Sequence, residues 1–594
     1  MAIPADPIDI QYTQRLDARR RALAQADRTH ARISQLRLAI VAAGLATLWW
    51  TGPTSGWWLL PAALFAGVAV IHARLLGRAD RIRSAIHFYE QGLARIRHEW
   101  IGHGRSGDAY RQADHLFADD LDLFGRGSLF ELLATTRTRA GEETLARWLL
   151  APAPHETARA RQEAVRELAT RLDLRETVAV IGDHVKVAVD APLLRRWAAS
   201  TVGLGRPAIR MAIGLLVVVT VTVFATWWQT GAFGTLALGL LIAQVLVAMA
   251  FRPRVIAVVE AVDEPAHDLD VLARLLQVIE QASFESTYLR QLQRTLGGDR
   301  TASSDIARLS RLVALLASRR NVLFAAPAAF LMWATQWAFA IDAWKRRVGS
   351  HVPHWLDAVG EFEAVLALAG FAAEHPACTF PDLVDGPPML IAEQLAHATL
   401  GADAVPNDVA LGGDAAHLVL VSGSNMSGKS TWMRTIGVAV VLARMGAPVR
   451  ATRCRLSPLA IGAAIRVQDS LTDGRSRFFA EILRLKHIVD LARRERGAVL
   501  FLLDEILSGT NSHDRRIGAE AVVIGLVDTG ALGIVTTHDL ALVAVADRIG
   551  PHAINAHFDD RFTDGQLRFD YQLKPGIVET SNAIALMRSI GIDV

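Results

Sequence analysis

The sequence predicts a multidomain chain: a mostly α-helical region carrying two apolar hairpins, followed by a C-terminal α/β domain. Three observations predict it. Two long stretches, 38–73 and 211–251, contain no Lys, Arg, Asp or Glu, and each is broken near its middle by turn residues. Around them, apolar residues recur at helical spacing. After about residue 380, short apolar runs alternate with amphipathic ones, the pattern of a parallel sheet covered by helices. At 594 residues, two to four domains are expected.

In chain order, residues 1–37 begin polar, without a signal-peptide core, and become Arg-rich, with Leu16, Leu23, Ile33 and Leu36 near helical spacing. A cytosolic or interfacial helix is expected there. The first apolar stretch, 38–73, is interrupted by Gly52-Pro-Thr-Ser-Gly56. Its two limbs are short for a bilayer, which takes about 20 apolar residues per crossing, but they can form a transmembrane hairpin. Trp49, Trp50, Trp57 and Trp58 flank the turn, where an aromatic belt would lie. Arg28, Arg32 and Arg37 precede the hairpin and Arg74 and Arg78 follow it, so both open ends should face the cytoplasm. The second stretch holds 41 uncharged residues between Arg210 and Arg252, enough for two crossings, with Gln229-Thr-Gly231 as the turn.

A third uncharged span, 321–341, has 21 residues and contains Pro327 and Gln336. A fifth crossing would carry the C-terminal domain to the other side of the membrane, so this span reads as a buried or interfacial helix. The expected organisation is therefore an interfacial helix at 1–37, a transmembrane hairpin at 38–73 and a helical region at 74–209. A second hairpin follows at 210–252, then a helical region at 253–379 and the α/β domain at 380–594.

The α/β domain carries the chemistry. Leu418-Val-Leu-Val421 precedes Gly423, Ser424, Asn425, Met426, Ser427, Gly428, Lys429, Ser430 and Thr431, and an amphipathic run follows. Strand, glycine-rich loop and helix in that order make a P-loop. Gly423 and Gly428 allow a tight turn and close approach of an anion. Backbone N–H groups at the helix start bind phosphate, Lys429 reaches the β- and γ-phosphates of ATP, and Ser430 ligates Mg²⁺. Further on, Val499-Leu-Phe-Leu-Leu503 is an apolar run ending in Asp504 and Glu505. Asp504 can complete the Mg²⁺ shell, and Glu505 can orient or deprotonate the attacking water. His538 follows a third strand, Gly533 to Thr537, and can sense the γ-phosphate through a neutral imidazole. Ser476, in Gly474-Arg-Ser476, lies near a helix start and suits either capping or an anion.

Together these motifs resemble the ATPase domain of the MutS family. Gly423–Thr431 is similar to that family's Gly-Pro-Asn-Met-x-Gly-Lys-Ser-Thr loop. Gly474-Arg-Ser-Arg-Phe-Phe-Ala-Glu481 is similar to its Gly-Arg-Ser-Thr-Phe-Met-x-Glu segment. Asp504-Glu-Ile-Leu-Ser-Gly-Thr-Asn-Ser-His-Asp514 resembles Asp-Glu-x-Gly-Arg-Gly-Thr-Ser-x-x-Asp, with Leu507-Ser508 in place of Gly-Arg. Thr537-His538 and Val405-Pro-Asn-Asp408 also have counterparts. Upstream, Thr136-Arg-Thr-Arg-Ala-Gly-Glu142 resembles the start of the family's helical core and lever region, and Gly360-Glu-Phe-Glu-Ala364 its end. The resemblance implies an ABC-type ATPase that forms a head-to-head homodimer, with Ser476 of one copy completing the other's ATP site. It also implies DNA as the partner of a clamp.

Other observations bound this reading. The net charge is +3, so a DNA partner would depend on a local basic surface. Cys378 and Cys454 are isolated and match no metal or disulfide framework. The chain is expected to have no room for the N-terminal mismatch-reading domain of the repair proteins, and His87-Phe-Tyr-Glu90 sits in a helical pattern that favours packing. The expectation is a membrane-anchored MutS-like ATPase of a bacterial-type inner membrane, its ATPase domain in the cytoplasm. Direct mismatch repair and an ABC-type transporter are the alternatives. A transporter's Leu-Ser-Gly signature should precede the acidic strand, whereas Leu507-Ser-Gly509 follows it.

Overall fold

The computed structural model describes residues 7–151, 153–182, 191–200, 204, 207–259, 266–297, 301–424, 426–466, 477–507, 512–538, 543–563 and 566–578. Two helices open it, α1 (Pro7–Thr51) and α2 (Leu59–Ile96), packed antiparallel. No Gly or Pro interrupts the chain between 15 and 43, so the interfacial segment and the first apolar limb form one helix. Gly52 and Gly56, both in the left-handed region (φ 72° and 70°), make the turn. At that tip Trp49 is 92% exposed. At the opposite end the pair is fastened to α6 (Leu172–Gly182) of the helical body. Tyr89 donates to Glu176 at 2.6 Å, Arg19 pairs with Glu176 at 2.6 Å, and Arg175 donates to Tyr12 at 3.0 Å. Phe88 and Tyr89 thus pack against Tyr12, and the His87–Glu90 segment is part of a helix.

A helical body follows: α3 (Leu129–Leu133), α4 (Arg139–Leu150), α5 (His155–Ala169), α6, and α7 (Ala191–Ala199). The second hairpin is α8 (Pro207–Thr230) and α9 (Gly234–Val259). The body resumes with α10 (Ala266–Gln281), α11 (Thr287–Thr295), α12 (Ala302–Ala317), α13 (Val322–Phe330), α14 (Trp333–Val348) and α15 (Val352–Glu374). By length and composition, α1, α2, α8 and α9 are long and apolar enough to cross a membrane. The 321–341 span is two helices, of 9 and 16 residues with their flanks, and neither is long enough to cross.

Helix α15 is the spine of the body. Its Glu363, 2% exposed, accepts hydrogen bonds from the backbone N–H groups of Arg137 and Thr138 and from the Thr138 hydroxyl. Gly360 lets α4 approach: a Cβ there would stand 2.7 Å from the Ala140 carbonyl oxygen. The two upstream segments that resemble the MutS core, Thr136–Glu142 and Gly360–Ala364, therefore form one junction. At the end of α15, Glu374 accepts two hydrogen bonds from Arg95 of α2, at 2.6 and 2.7 Å. The ion pair is buried and bidentate, a geometry that adds directional specificity to the charge.

The C-terminal domain holds two sheets. A four-stranded sheet has order β1 (Asp382–Leu383), β5 (Arg453–Leu456), β2 (Met389–Leu395), β3 (Asn407–Gly412). A six-stranded sheet has order β10 (Gln566–Pro575), β9 (Ala553–Thr563), β4 (Leu418–Ser422), β8 (Leu532–Thr537), β7 (Val499–Asp504), β6 (Ala460–Ala464). Only the β9–β10 pair is antiparallel in the second sheet. Among the described residues, helices α16 (Lys429–Met445), α17 (Arg477–Arg494), α18 (Ser512–Asp528) and α19 (Val545–Ile549) accompany these sheets. Strands β4, β7 and β8 are buried along almost their whole length, as continuous apolar runs in a covered parallel sheet must be. Helix α16 also packs on α4, α5 and the 116–124 segment, so one apolar core runs through both parts of the chain.

Candidate active site

The site lies at the C-terminal ends of β4, β8 and β7, three neighbouring strands, where ligands bind in open α/β sheets. The loop after β4 turns at Gly423 (φ 147°) and Gly428 (φ 107°). A Cβ at Gly423 would meet the Phe558 carbonyl oxygen at 2.9 Å, so the close approach requires glycine. Lys429 is buried, and its ammonium donates to the carbonyl oxygens of Gly423 and Ser424 at 2.7 and 2.8 Å. Burial pushes its pKa below the usual lysine value, while Glu505, Asp504 and Asp560 oppose that shift. The Ser424 and Ser427 hydroxyls are buried and lack a hydrogen-bond partner among the described residues. Buried hydroxyls without partners are costly unless they serve a ligand. Asn425 and Ser476 lie outside the described residues.

Strand β7 delivers the acids. Ser430 donates to one oxygen of Asp504 at 2.5 Å, and Thr536 donates to the other. Two hard oxygens, a hydroxyl and a carboxylate, are thus placed together, a donor set that fits Mg²⁺. Glu505 holds φ 46°, and its backbone N–H donates to the Thr536 carbonyl at 3.2 Å. Its carboxylate lies 2.5 Å from His538 Nε2 at the end of β8. Strained backbone at an acidic residue in a cleft is a feature of functional sites.

Ser424, Ser427, Lys429, Ser430 and Glu505 line a cavity of about 480 Å³ that continues from the P-loop to Leu395, His397, Val405 and Tyr571, with Asp504 and His538 behind Ser430 and Glu505. Sequence reasoning missed several residues here. Thr536, one residue before the Thr537-His538 pair, fixes the Asp504 carboxylate. Glu481, from the segment after Ser476, is buried and accepts from the backbone N–H of Leu507. Leu507 adopts φ 58°, which explains why glycine is the natural residue at this point of the motif. Tyr571 (φ 54°) stands over the loop, its ring 3.2 Å from where a Cβ of Gly428 would be. Asn407, of the Val405–Asp408 motif, holds it there by donating to the Tyr571 carbonyl at 2.9 Å and accepting from Leu573 N–H at 2.7 Å. The only signal for that bracket was the motif itself.

Helix α16 is gripped from outside the domain. Arg434 donates to the Asp120 carbonyl at 2.8 Å, and the Asp120 carboxylate accepts from the N–H groups of Ile465 and Arg466 at 2.7 Å each. Arg444 donates to the Ala153 carbonyl at 3.1 Å.

Fold and site together define a P-loop ATPase domain of the ABC type. Residues 419–593 match the family described as MutS domain V, an ABC-type ATPase domain, which implies ATP binding. The chain is 34% identical over 234 residues to a protein named DNA mismatch repair protein MutS 2 from Halobacterium salinarum, covering 39% of this chain and 26% of that one. It is 33% identical over 241 residues to DNA mismatch repair protein MutS of Natronomonas pharaonis (40% and 27% covered). It is 30% identical over 249 residues to that of Brevibacillus brevis (40% and 28% covered). The chain thus spans about a quarter of the length of these relatives.

Proposed function

We propose that the chain is a membrane-anchored, MutS-like ATPase that binds Mg²⁺-ATP in a composite site shared by two copies and uses hydrolysis to switch a helical clamp on DNA. One observation carries the reading: Lys429, the Ser430–Asp504 pair and the Glu505–His538 pair converge on one cavity at the ends of three adjacent strands. Phosphates sit against the loop N–H groups and the Ser424 and Ser427 hydroxyls, and Lys429 turns from its own loop's carbonyls onto them. Ser430 and Asp504 hold Mg²⁺, which neutralises charge on the phosphates. Glu505 receives the proton of the attacking water, and His538 holds that carboxylate in place. The aromatic end of the cavity, at Tyr571 and Phe558, suits the base. Ser476 of the partner subunit completes the site.

The grip of Asp120 and Ala153 on α16 supports a route from nucleotide to helical body, and Arg95–Glu374 extends it to the first hairpin. The two hairpins anchor the chain in the cytoplasmic membrane with the ATPase domain on the cytoplasmic side. The relatives' names supply the DNA role, and a mismatch-repair role is the second reading. Purified protein in detergent should hydrolyse ATP, and Glu505→Gln should bind ATP but turn over poorly. Equal turnover by both would sink the mechanism. DNA retention at low salt tests the clamp: without it, a protein partner replaces DNA.

A further inference from the structure

The most apolar element of the body is α13, Val322–Phe330, whose nine residues are Val, Leu, Phe, Ala and Pro only. It is not buried. Val322 is 89% exposed, and Ala325, Ala326, Pro327 and Ala329 are exposed too. Helix α13 stands against the second hairpin rather than apart from it. The Phe330 ring packs edge-on against Phe224 of α8, with centroids 5.4 Å apart. Phe224 lies 14 residues beyond Arg210, the last charge before the apolar stretch. At a rise of ~1.5 Å per residue, that is about 20 Å into the hairpin. Phe224 also touches Trp227 at the hairpin's tip (5.4 Å). Lower down, a Cβ on Gly214 of α8 would stand 3.8 Å from Gln336 of α14, and Phe251 of α9 packs on Phe339 of α14 at 5.7 Å.

Both ends of this element return to the same place. Before it, Leu312, Val313 and Leu316 of α12 are buried in the body; after it, Trp344 and Val348 of α14 are buried there as well. Backbone hydrogen bonds carry the chain through its turn, as a bilayer favours. The one interruption between α13 and α14 is Leu331–Met332. There Met332 (φ 49°) is buried, and the N–H groups of Leu331 and Met332 donate to the carbonyls of Pro327 and Ala329 at 2.9 and 3.1 Å. The Trp333 indole donates to the Leu315 carbonyl at 2.7 Å.

We infer that α13 and the start of α14 form a re-entrant helical hairpin that enters the bilayer beside α8 and leaves on the same side, with the exposed face of α13 in contact with lipid acyl chains. The inference rests on the reading of α8–α9 as a membrane hairpin, whose exposed apolar residues (Leu215, Leu238 and Leu246 among them) form the band that α13 extends. It preserves the even number of crossings, because a re-entrant element adds none.

The test uses full-length protein carrying Cys378→Ser and Cys454→Ala, in vesicles of phosphatidylcholine and phosphatidylglycerol. Single cysteines are introduced as Ala326→Cys or Ala329→Cys on α13, Leu238→Cys on α9 and Ser350→Cys beyond α14, and labelled with a small environment-sensitive fluorophore. Retained ATP hydrolysis verifies folding, and the two α13 positions back each other up. The expected result is loss of fluorescence at 326, 329 and 238 with acyl-chain nitroxide lipids and shielding of all three from iodide, with the reverse at 350. If 238 is quenched by lipid but 326 and 329 are reached by iodide, the inference is overturned while the hairpin stands. Access by neither quencher overturns it too, in favour of a protein cover such as a second copy. No lipid quenching at 238 itself removes the membrane reading and the inference with it.

Discussion

The ATPase domain and the helical region differ in what they set beside a cavity and what they leave exposed. The ATPase site keeps polar groups buried beside a cavity with partners they can exchange: Lys429 on its own loop's carbonyls, Ser424 and Ser427 without partners, Glu505 on His538. In the helical region the buried carboxylates of Glu363 and Glu374 are held in closed contacts, Asp342 and His155 keep buried atoms without a partner among the described residues, and Trp49, Trp228 and Leu215 stand outside. A site that must trade partners during turnover keeps donors in reserve. The helical region instead fixes the Glu363 and Glu374 carboxylates and leaves apolar surface exposed along its long helices.

The largest effects should separate the two regions. Lys429→Ala should abolish nucleotide binding, measured by equilibrium dialysis, without changing recovery in the membrane fraction. Leu238→Asp with Leu246→Asp on α9, combined with Leu45→Asp and Leu64→Asp on the first hairpin, should do the opposite, releasing protein from membranes while detergent-solubilised ATPase activity persists. Loss of both properties in either variant would break the comparison.

Next is the junction inside the helical region. Glu363→Ala strands two backbone N–H groups and a hydroxyl in the core. A loss of about 3 kcal/mol is expected from the cost of buried donors without acceptors, read in denaturant unfolding. A smaller loss would mean that water reaches the junction and that the spine is less closed than described.

A pH effect belongs to the ATPase domain. Burial, with Arg434 and Arg450 adding to it, pushes the His397 imidazole down to about 4. The ring accepts from Thr399 and is neutral when folded. Its folded value lies below the unfolded one, ~6.5, so its contribution is complete above that pH and is lost as pH falls toward 4. The loss is on the order of 3 kcal/mol at most. Thermal unfolding of His397→Gln should show a flatter decline over that window than wild type. The smallest effect concerns Leu507. Leu507→Gly removes a buried side chain but relieves a left-handed backbone, so the net cost should be about 1 kcal/mol, below the usual 2–5 for a buried leucine.

The P-loop was legible because its chemistry is local: nine consecutive residues specify the turn, the cation and the hydroxyl. Asp504, Glu505 and His538 were legible because each ends an apolar strand. Tyr571 and His397 were not, since each reaches the cavity from an element whose position depends on the whole sheet. The hairpins were visible as absence of charge. For 321–341 the same signal was weighed against topology and read as one buried or interfacial helix; absence of charge carries no mark of the turn that makes it two helices. Met332, which makes that turn with a left-handed backbone, has no glycine to announce it.

The central claim is an ATP site completed by a second copy. Its most direct test is the mass of Glu505→Gln in detergent, by light scattering with and without Mg²⁺-ATP. The account predicts monomer without nucleotide and a stable dimer with bound ATP. A monomer that is saturated with ATP would contradict it.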